Sequence, residues 1–393
     1  MSDWKEVRLK DVCEKITVGH VGSMADQYQP LGIPFLRSLN INPYKINFND
    51  LKYIDEKFNS KLKKSILKPN DVAIVRTGYP GTACVIPKSL GIANCSDLVI
   101  VRPGKELNSY FLAAIFNSTF GKNLVSGNLV GAAQQHFNIT VAKELKLKLP
   151  PKKLQDKIAA ILSAYDDLIE NNNRRIAILE KMAEEIYREW FVRLRFPGHE
   201  QVKFNKGIPD GWERKRFDKF CLLQRGYDLP DAQVKAGKYP VIASTSIKTY
   251  HNEFKVNPPV ITTGRSGSLG TVIFINSRAW PLNTTLFVKN FYSNSPNLIY
   301  YTLKFLKLEN FNSGAGVPTL NRNHLGGLYM SVPPRNIQKQ FDSKISIIFK
   351  QKEILTESNN VLTQSRDRLL TRLISGKLSV EDLDIQFPPS MTE

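Results

Sequence analysis

Two kinds of hydrophobic spacing alternate along this chain. VRLKDV, PFLRSL, DVAIVRTG and VIVRP are short strand-like runs, with Gly78 and Gly81 marking a turn between two of them, and SYFLAAIFNSTF then reads as a helix. The order repeats further on in VIASTS, VITTG, TVIFIN and TLFVKN, followed by the helical NLIYYTLKFLKL. Each series ends at a double proline, and beyond it the spacing becomes helical. Proline at the first turn of a helix costs nothing, because that turn has no carbonyl partner for its donors.

In the first helical stretch, core-type positions fall at Ile158, Ile161, Tyr165, Leu168, Asn172, Ile176, Leu179, Ala183, Ile186 and Trp190, and Pro197-Gly198 close it. In the second they fall at Phe341, Ile345, Ile348, Lys352, Leu355, Asn359, Leu362, Arg366, Leu369 and Leu373, stopping near Gly376. Steps of three and four predict a coiled-coil seam in each. About 40 helical residues rising ~1.5 Å each span roughly 60 Å. Two such helices joined through an intervening domain pack most simply antiparallel, as a spacer between globular units. Asn172 and Asn359 stand near mid-seam, where a buried asparagine that meets its counterpart sets the register.

The alternation is a duplication. Gly131, Ala132, Asn138, Leu145, Pro150, Pro151 and Gln155 recur as Gly314, Ala315, Asn321, Leu328, Pro333, Pro334 and Gln338 at one offset of 183. Trp4, Arg8 and Cys13 recur as Trp212, Arg216 and Cys221 at an offset of 208. The first copy thus holds 25 more residues between its landmarks, and the interiors of the copies have diverged. The expected organisation is a globular domain over 1–150, a helix over 151–205, a second domain over 206–333, and a second helix with a tail over 334–393. The fold class is α+β, with mainly antiparallel sheet and short helices in each domain.

Charge follows the same division. The formal net charge is +19, of which residues 1–150 carry +8 and 206–333 carry +9, while the two helical segments carry +1 each. Positive charge placed on paired globular domains favours a polyanion, most simply nucleic acid. No apolar run approaches the roughly 20 residues of a membrane span, and the opening MSDWKEVRLK has no apolar signal region. A cytoplasmic protein without a membrane partner is expected. Cys13, Cys84, Cys95 and Cys221 show no ligand spacing and read as reduced core cysteines.

No persuasive catalytic set is present. Asn257-Pro258-Pro259-Val260 resembles the Asn-Pro-Pro-aromatic motif of adenine methyltransferases, but valine replaces the aromatic and no glycine-rich cofactor loop lies upstream. Asp210 and Glu213 crowd one turn, where two carboxylates aimed at a metal would need separate strands. Gly264, Gly267 and Gly270 lack the Lys-Ser/Thr of a phosphate loop. The five histidines show no metal spacing.

What remains suits reading DNA. Turns and loops of the first domain carry Arg37, Ser38 and Asn40; Arg76, Thr77 and Tyr79; Gln134, Gln135 and His136. Those of the second carry Gln224, Arg225 and Tyr227; Thr263, Arg265, Ser266 and Ser268; Asn283, Thr284 and Thr285. Arginine suits guanine edges, glutamine and asparagine suit adenine, and hydroxyls suit phosphates.

On these residues the chain resembles the type I restriction-modification specificity subunits over nearly its whole length. The matching features are Gly211-Trp212-Glu213, Arg225-Gly226-Tyr227-Asp228-Leu229-Pro230, Thr263-Gly264-Arg265-Ser266-Gly267, the Gly-Ala loops, Val332-Pro333-Pro334 with Gln338, and Leu373-Ile374-Ser375-Gly376-Lys377-Leu378. The resemblance implies two target recognition domains, each reading one half of a bipartite, asymmetric DNA site, with the antiparallel helices setting the spacing. It implies as partners two modification subunits that methylate adenine with S-adenosylmethionine, and restriction subunits that use ATP and Mg2+. This chain itself would then bind no cofactor and catalyse nothing. One departure is Arg335-Asn336-Ile337 ahead of Gln338, where an acidic residue commonly precedes the glutamine.

Overall fold

A computed structural model describes residues 4–128 and 136–392. Its contacts divide the chain into two compact units, residues 1–174 with 355–393, and residues 175–354. Each unit therefore owns one globular domain and part of both long helices.

In the first unit, a four-stranded antiparallel sheet runs in the order Cys13–Val18, Leu98–Pro103, Val72–Val75, Ala83–Val85. Alternation along the central strands decides what covers each face. Val72, Ile74, Val99 and Val101 pack with Phe111, Leu112, Ile115 and Phe116 of the helix Ser109–Asn117. Ala73, Val75, Leu98 and Ile100 face the other way, toward Leu36, Ile86 and Cys95. A smaller sheet in the order Lys52–Ile54, Ile33–Leu36, Asn94–Cys95 joins that second face, its last pair parallel. A two-stranded sheet, Lys5–Arg8 with Lys146–Leu149, ties the start of the chain to the approach of the first double proline.

The second unit repeats this topology. Its main sheet runs Leu222–Arg225, Thr285–Asn290, Val260–Gly264, Val272–Ile275, and its smaller one Ile247–His251, Tyr239–Ile242, Trp280–Pro281, again with one parallel pair. Glu213–Arg216 pairs with Tyr329–Val332. The interiors that look unrelated in sequence thus keep one strand order. The additional residues of the first copy include a small hairpin, Ile41–Asn42 with Lys45–Ile46, and the helix Glu56–Lys61.

The repeated Pro-Pro and glutamine have a physical reason. Gln155 is buried; its Oε1 accepts the Asn108 backbone N–H at 3.0 Å, and its Nε2 donates to the carbonyls of Glu106 (3.0 Å) and Pro150 (2.9 Å). Gln338 accepts the Ser295 N–H at 2.8 Å and donates to the Pro333 carbonyl at 2.9 Å. In both copies one side chain fastens the start of the long helix to the N-cap of the domain's main helix.

The long helices are Lys152–Tyr187, continued by a π turn over Arg188–Val192, and Arg335–Ile374, followed by Gly376 in the left-handed region at φ 69°. Their segments pair antiparallel within each unit. In the first unit, Asp166 meets Arg366 and Asn172 meets Asn359, with Ile158 and Leu162 packing beside Leu370 and Leu373. In the second, Glu180 pairs with Lys352, and Tyr187, Trp190 and Phe191 form an aromatic cluster with Phe341. One seam position needs correcting. Leu168 is 52% exposed, whereas Leu162 is buried. The seam carries Arg366, which turns Asp166 inward to meet it, and Leu168, two residues or about 200° farther round, then points outward.

Candidate nucleic-acid interface

In the first unit the strand Val72–Val75 runs out into a tight turn. The Gly81 N–H donates to the Val75 carbonyl at 3.0 Å, the Val75 N–H to Thr82 at 2.8 Å, and Gly78 and Gly81 take φ of 88° and 91°. That geometry leaves Tyr79 at the tip, 84% exposed. Behind it the expected residues converge. Arg76 reaches Asp97 at 3.4 Å, the Asp97 carbonyl accepts the Ser38 hydroxyl at 3.4 Å, and Thr77 Oγ1 lies 3.1 Å from His136 Nδ1. Arg37 pairs with Asp50 at 2.8 Å and lies over the Tyr28 ring. Hydrogen bonds from Arg37 and Lys52 hold the Asp50 carboxyl down at about 2.

The second unit gathers its residues more closely. The backbone N–H groups of Arg265 and Ser266 both donate to the Thr284 carbonyl, at 2.8 and 3.2 Å, and Ser244 Oγ bridges the carbonyls of Ser266 and Thr284. The Arg265 guanidinium donates to the Asn283 carbonyl at 3.3 Å. Asp228 accepts from both Asn283 and Arg225, and Gln224 lies 3.5 Å from the Tyr227 hydroxyl. Glycine makes this crowding possible. A Cβ on Gly226 would lie 2.2 Å from the Leu282 oxygen, and one on Gly264 1.9 Å from the Ser268 oxygen. Ser268 stands exposed at the rim.

Three of the expected contact residues serve the fold instead. Asn40 is fully buried, accepting from the Arg37 N–H and donating to the carbonyls of Asn47 and Asn49. Thr285 is fully buried and donates to the Leu282 carbonyl at 2.8 Å; Thr263 is 1% exposed. Thr263 lies in a strand buried along its whole length, Thr285 opens another buried strand, and Asn40 sits in a tight turn whose backbone its side chain satisfies, none of which residue type alone reveals. Gln134 and Gln135 lie outside the described residues. Asp97 and Asp228 are not among the expected contact residues. Each organises an arginine, and the Arg225-to-Asp228 spacing of three was the available signal.

The cysteines are free, Cys84, Cys95 and Cys221 buried and Cys13 partly so, and burial pushes the Cys84 thiol up to about 12. Among the described residues no group of His, Cys, Asp and Glu is placed to hold a metal ion. Nor is any helix there long and apolar enough to cross a membrane. Asn257-Pro258-Pro259 runs into the strand Val260–Gly264 and does not end one, unlike the methyltransferase motif it resembles.

Each of the two units of shared topology carries arginine-bearing loops beside its main sheet. The sequence model of the type I restriction modification DNA specificity domain matches residues 1–181 and 209–364, once on each copy. The chain belongs to this family. Similar proteins within it include the type I restriction enzyme MjaIX specificity subunit of Methanocaldococcus jannaschii, 24% identical over 97% of this chain and 95% of the relative. A second, named for the MjaX enzyme of the same organism, is 23% identical over 96% and 94%. The crystal structure of the type I restriction-modification S subunit from M. genitalium shares the fold, with a TM-score of 0.57 at 16% identity, covering 94% of this chain and 96% of that one. As in other members of the specificity family, then, two tandem α+β domains are combined with long helices.

Proposed function

We propose that this DNA specificity subunit of a type I restriction-modification system reads a bipartite, asymmetric site, one half with each globular domain. The observation that carries this reading is a doubled topology with undoubled loops. The strand order is the same in both units, yet Arg76, Thr77 and Tyr79 at one strand end correspond to Arg265, Ser266 and Ser268 at the other. A shared frame with different donors and acceptors is what two different half-sites require. The basic balance of each domain supplies the sequence-independent attraction.

The paired helices act in this reading as the ruler between half-sites, with Asn172 and Asn359 fixing their register. They also offer protein docking surface. Ile347, Ile354 and Val361 stand exposed at intervals of seven along the second helix, and Ile178 and Met182 on the first. Water-facing apolar residues in such a row suit the docking of modification and restriction subunits. Catalysis, with S-adenosylmethionine, ATP and Mg2+, then belongs to those partners, and this chain contributes recognition alone in the cytoplasm.

The test is to combine the purified chain with its modification subunits and DNA of random sequence. Methylation confined to one two-part sequence supports the reading; methylation at many unrelated sequences would end it.

A further inference from the structure

A place bridged by an ion-paired carboxylate in the first unit is a cation-lined cleft in the second. In the first, Glu144 accepts both Lys10 at 2.6 Å and Arg8 at 3.3 Å, joining the opening strand to the end of the helix Ile139–Glu144. The second unit's equivalents follow from matching hydrogen bonds. Leu9 donates to the Leu145 carbonyl as Phe217 does to Leu328, so Arg216 stands for Arg8, Asp218 for Lys10 and Gly327 for Glu144. The carboxylate is therefore missing, and Arg216 turns to Asp218 at 2.8 Å.

Around it, one cation is new and another has lost its acid. Arg322 follows the helix-capping Asn321 where Ile139 follows the capping Asn138. Lys289 stands for Arg102, because Gly226 donates to the Thr285 carbonyl as Gly19 does to Leu98, and the same register sets Val260 in the place of Asp71, the acid that pairs with Arg102. Arg216, Lys289 and Arg322 line a cleft of ≈ 530 Å³ with Asp218, Gln224 and Asn323. Among the described residues neither Lys289 nor Arg322 forms an ion pair; Arg322 is held in place by donating to the Leu223 carbonyl at 3.3 Å. Gln224, in the strand Leu222–Arg225, also lies 3.5 Å from the Tyr227 hydroxyl of the candidate interface, so the cleft adjoins that interface within the same unit.

We infer that this cleft seats a backbone phosphate of DNA flanking the half-site read by the second unit, in the place where the first unit keeps its own carboxylate. An oxyanion there finds two cations that no carboxylate holds and an amide beside them, since the acid of the lining, Asp218, is paired with Arg216. The second half-site thereby gains a sequence-independent anchor that the first lacks at the equivalent position. The inference rests on the DNA-reading proposal above.

The test uses the full chain in its modification complex and measures affinity for its DNA site across a salt series. Lys289→Gln should lower the slope of log affinity against log salt by about 0.9, the value of one phosphate contact, and leave the methylated sequence unchanged. Gly327→Glu should do the same by restoring the carboxylate. Gly327 has φ −81° and nothing within 4 Å of a Cβ, so the longer side chain fits. A wild-type slope in both variants, with sequence-specific binding intact, overturns the phosphate seat alone. A changed methylated sequence in either variant makes the cleft a base reader and overturns it too. If the unmodified complex binds no sequence specifically, the DNA-reading proposal falls, and this inference with it.

Discussion

Asn172 donates its side-chain amide to the Asn359 carbonyl oxygen at 3.0 Å, and Asn359 donates in turn to Asn173 at 3.0 Å. Asn172 is 9% exposed, so the amide has little water to turn to. Asn172→Leu strands the Asn359 oxygen beside an apolar side chain and should cost about 1–3 kcal/mol. Asn172→Leu with Asn359→Leu should recover most of that loss, because two apolar partners can pack in place of two amides, though with weaker selection of one register. Denaturant midpoints of the two single variants and the double variant give the coupling directly.

The glutamine latch should be as sensitive. Gln155→Ala leaves the Asn108 N–H and the Glu106 and Pro150 carbonyls without that partner in a buried place, and Gln338→Ala does the same to Ser295 and Pro333. Each should lower stability by about 2–3 kcal/mol, read by urea unfolding.

The chain's frame could be read from its residues because duplication and period are visible in one dimension. The double prolines and the two long helices lie where their spacing places them, and so do most strand runs, but VRLKDV and PFLRSL pass from strand into 3-10 turns at Leu9–Val12 and Ser38–Asn40. The latch of Gln155 was visible only as a repeated letter, since the partners that tie it to the domain, the Asn108 N–H and the Glu106 carbonyl, are backbone atoms more than 40 positions away. Leu168 failed for a similar reason. The inward turn of Asp166 depends on Arg366, 200 positions distant, and no local spacing carries that pairing. Within the interface, residue types found the loops but not the orientations, so exposed Tyr79 and sealed Asn40 looked alike in sequence.

Burial lifts the Asp166 carboxyl from its ordinary 3.8 to about 6, with Arg366 opposing the shift. The folded chain thus takes up this proton at higher pH than the unfolded chain does. From this group alone, stability is greatest below about 4 and declines as pH rises through about 6. Asp166→Asn removes the titration, so its stability relative to the unaltered chain should be more favourable at pH 7 than at pH 4.5. Denaturant unfolding at both values checks the sign.

Arg265 is the sharpest probe of half-site assignment. Arg265→Ala should relax recognition of one half-site only, at a cost of about 1–3 kcal/mol if the guanidinium meets a base edge. Competition binding with each half of the site scrambled in turn measures this; equal loss at both halves marks a general folding defect instead.

A matched shortening of the paired helices, by one turn within 158–176 and one in the facing segment of the second helix, should shorten the unread stretch between half-sites and leave the halves unchanged. Mapping the methylated motif of the altered complex tests it, and an unchanged spacer would contradict the ruler role.

The central claim is that this one chain chooses the DNA sequence. Single-molecule sequencing of methylated adenines across the genome, in a host with and without the chain, tests it most directly. The account predicts one asymmetric two-part motif, methylated when the chain is present and lost when it is absent. The same motifs in both hosts, or methylation dependent on the chain but scattered over unrelated sequences, would contradict it.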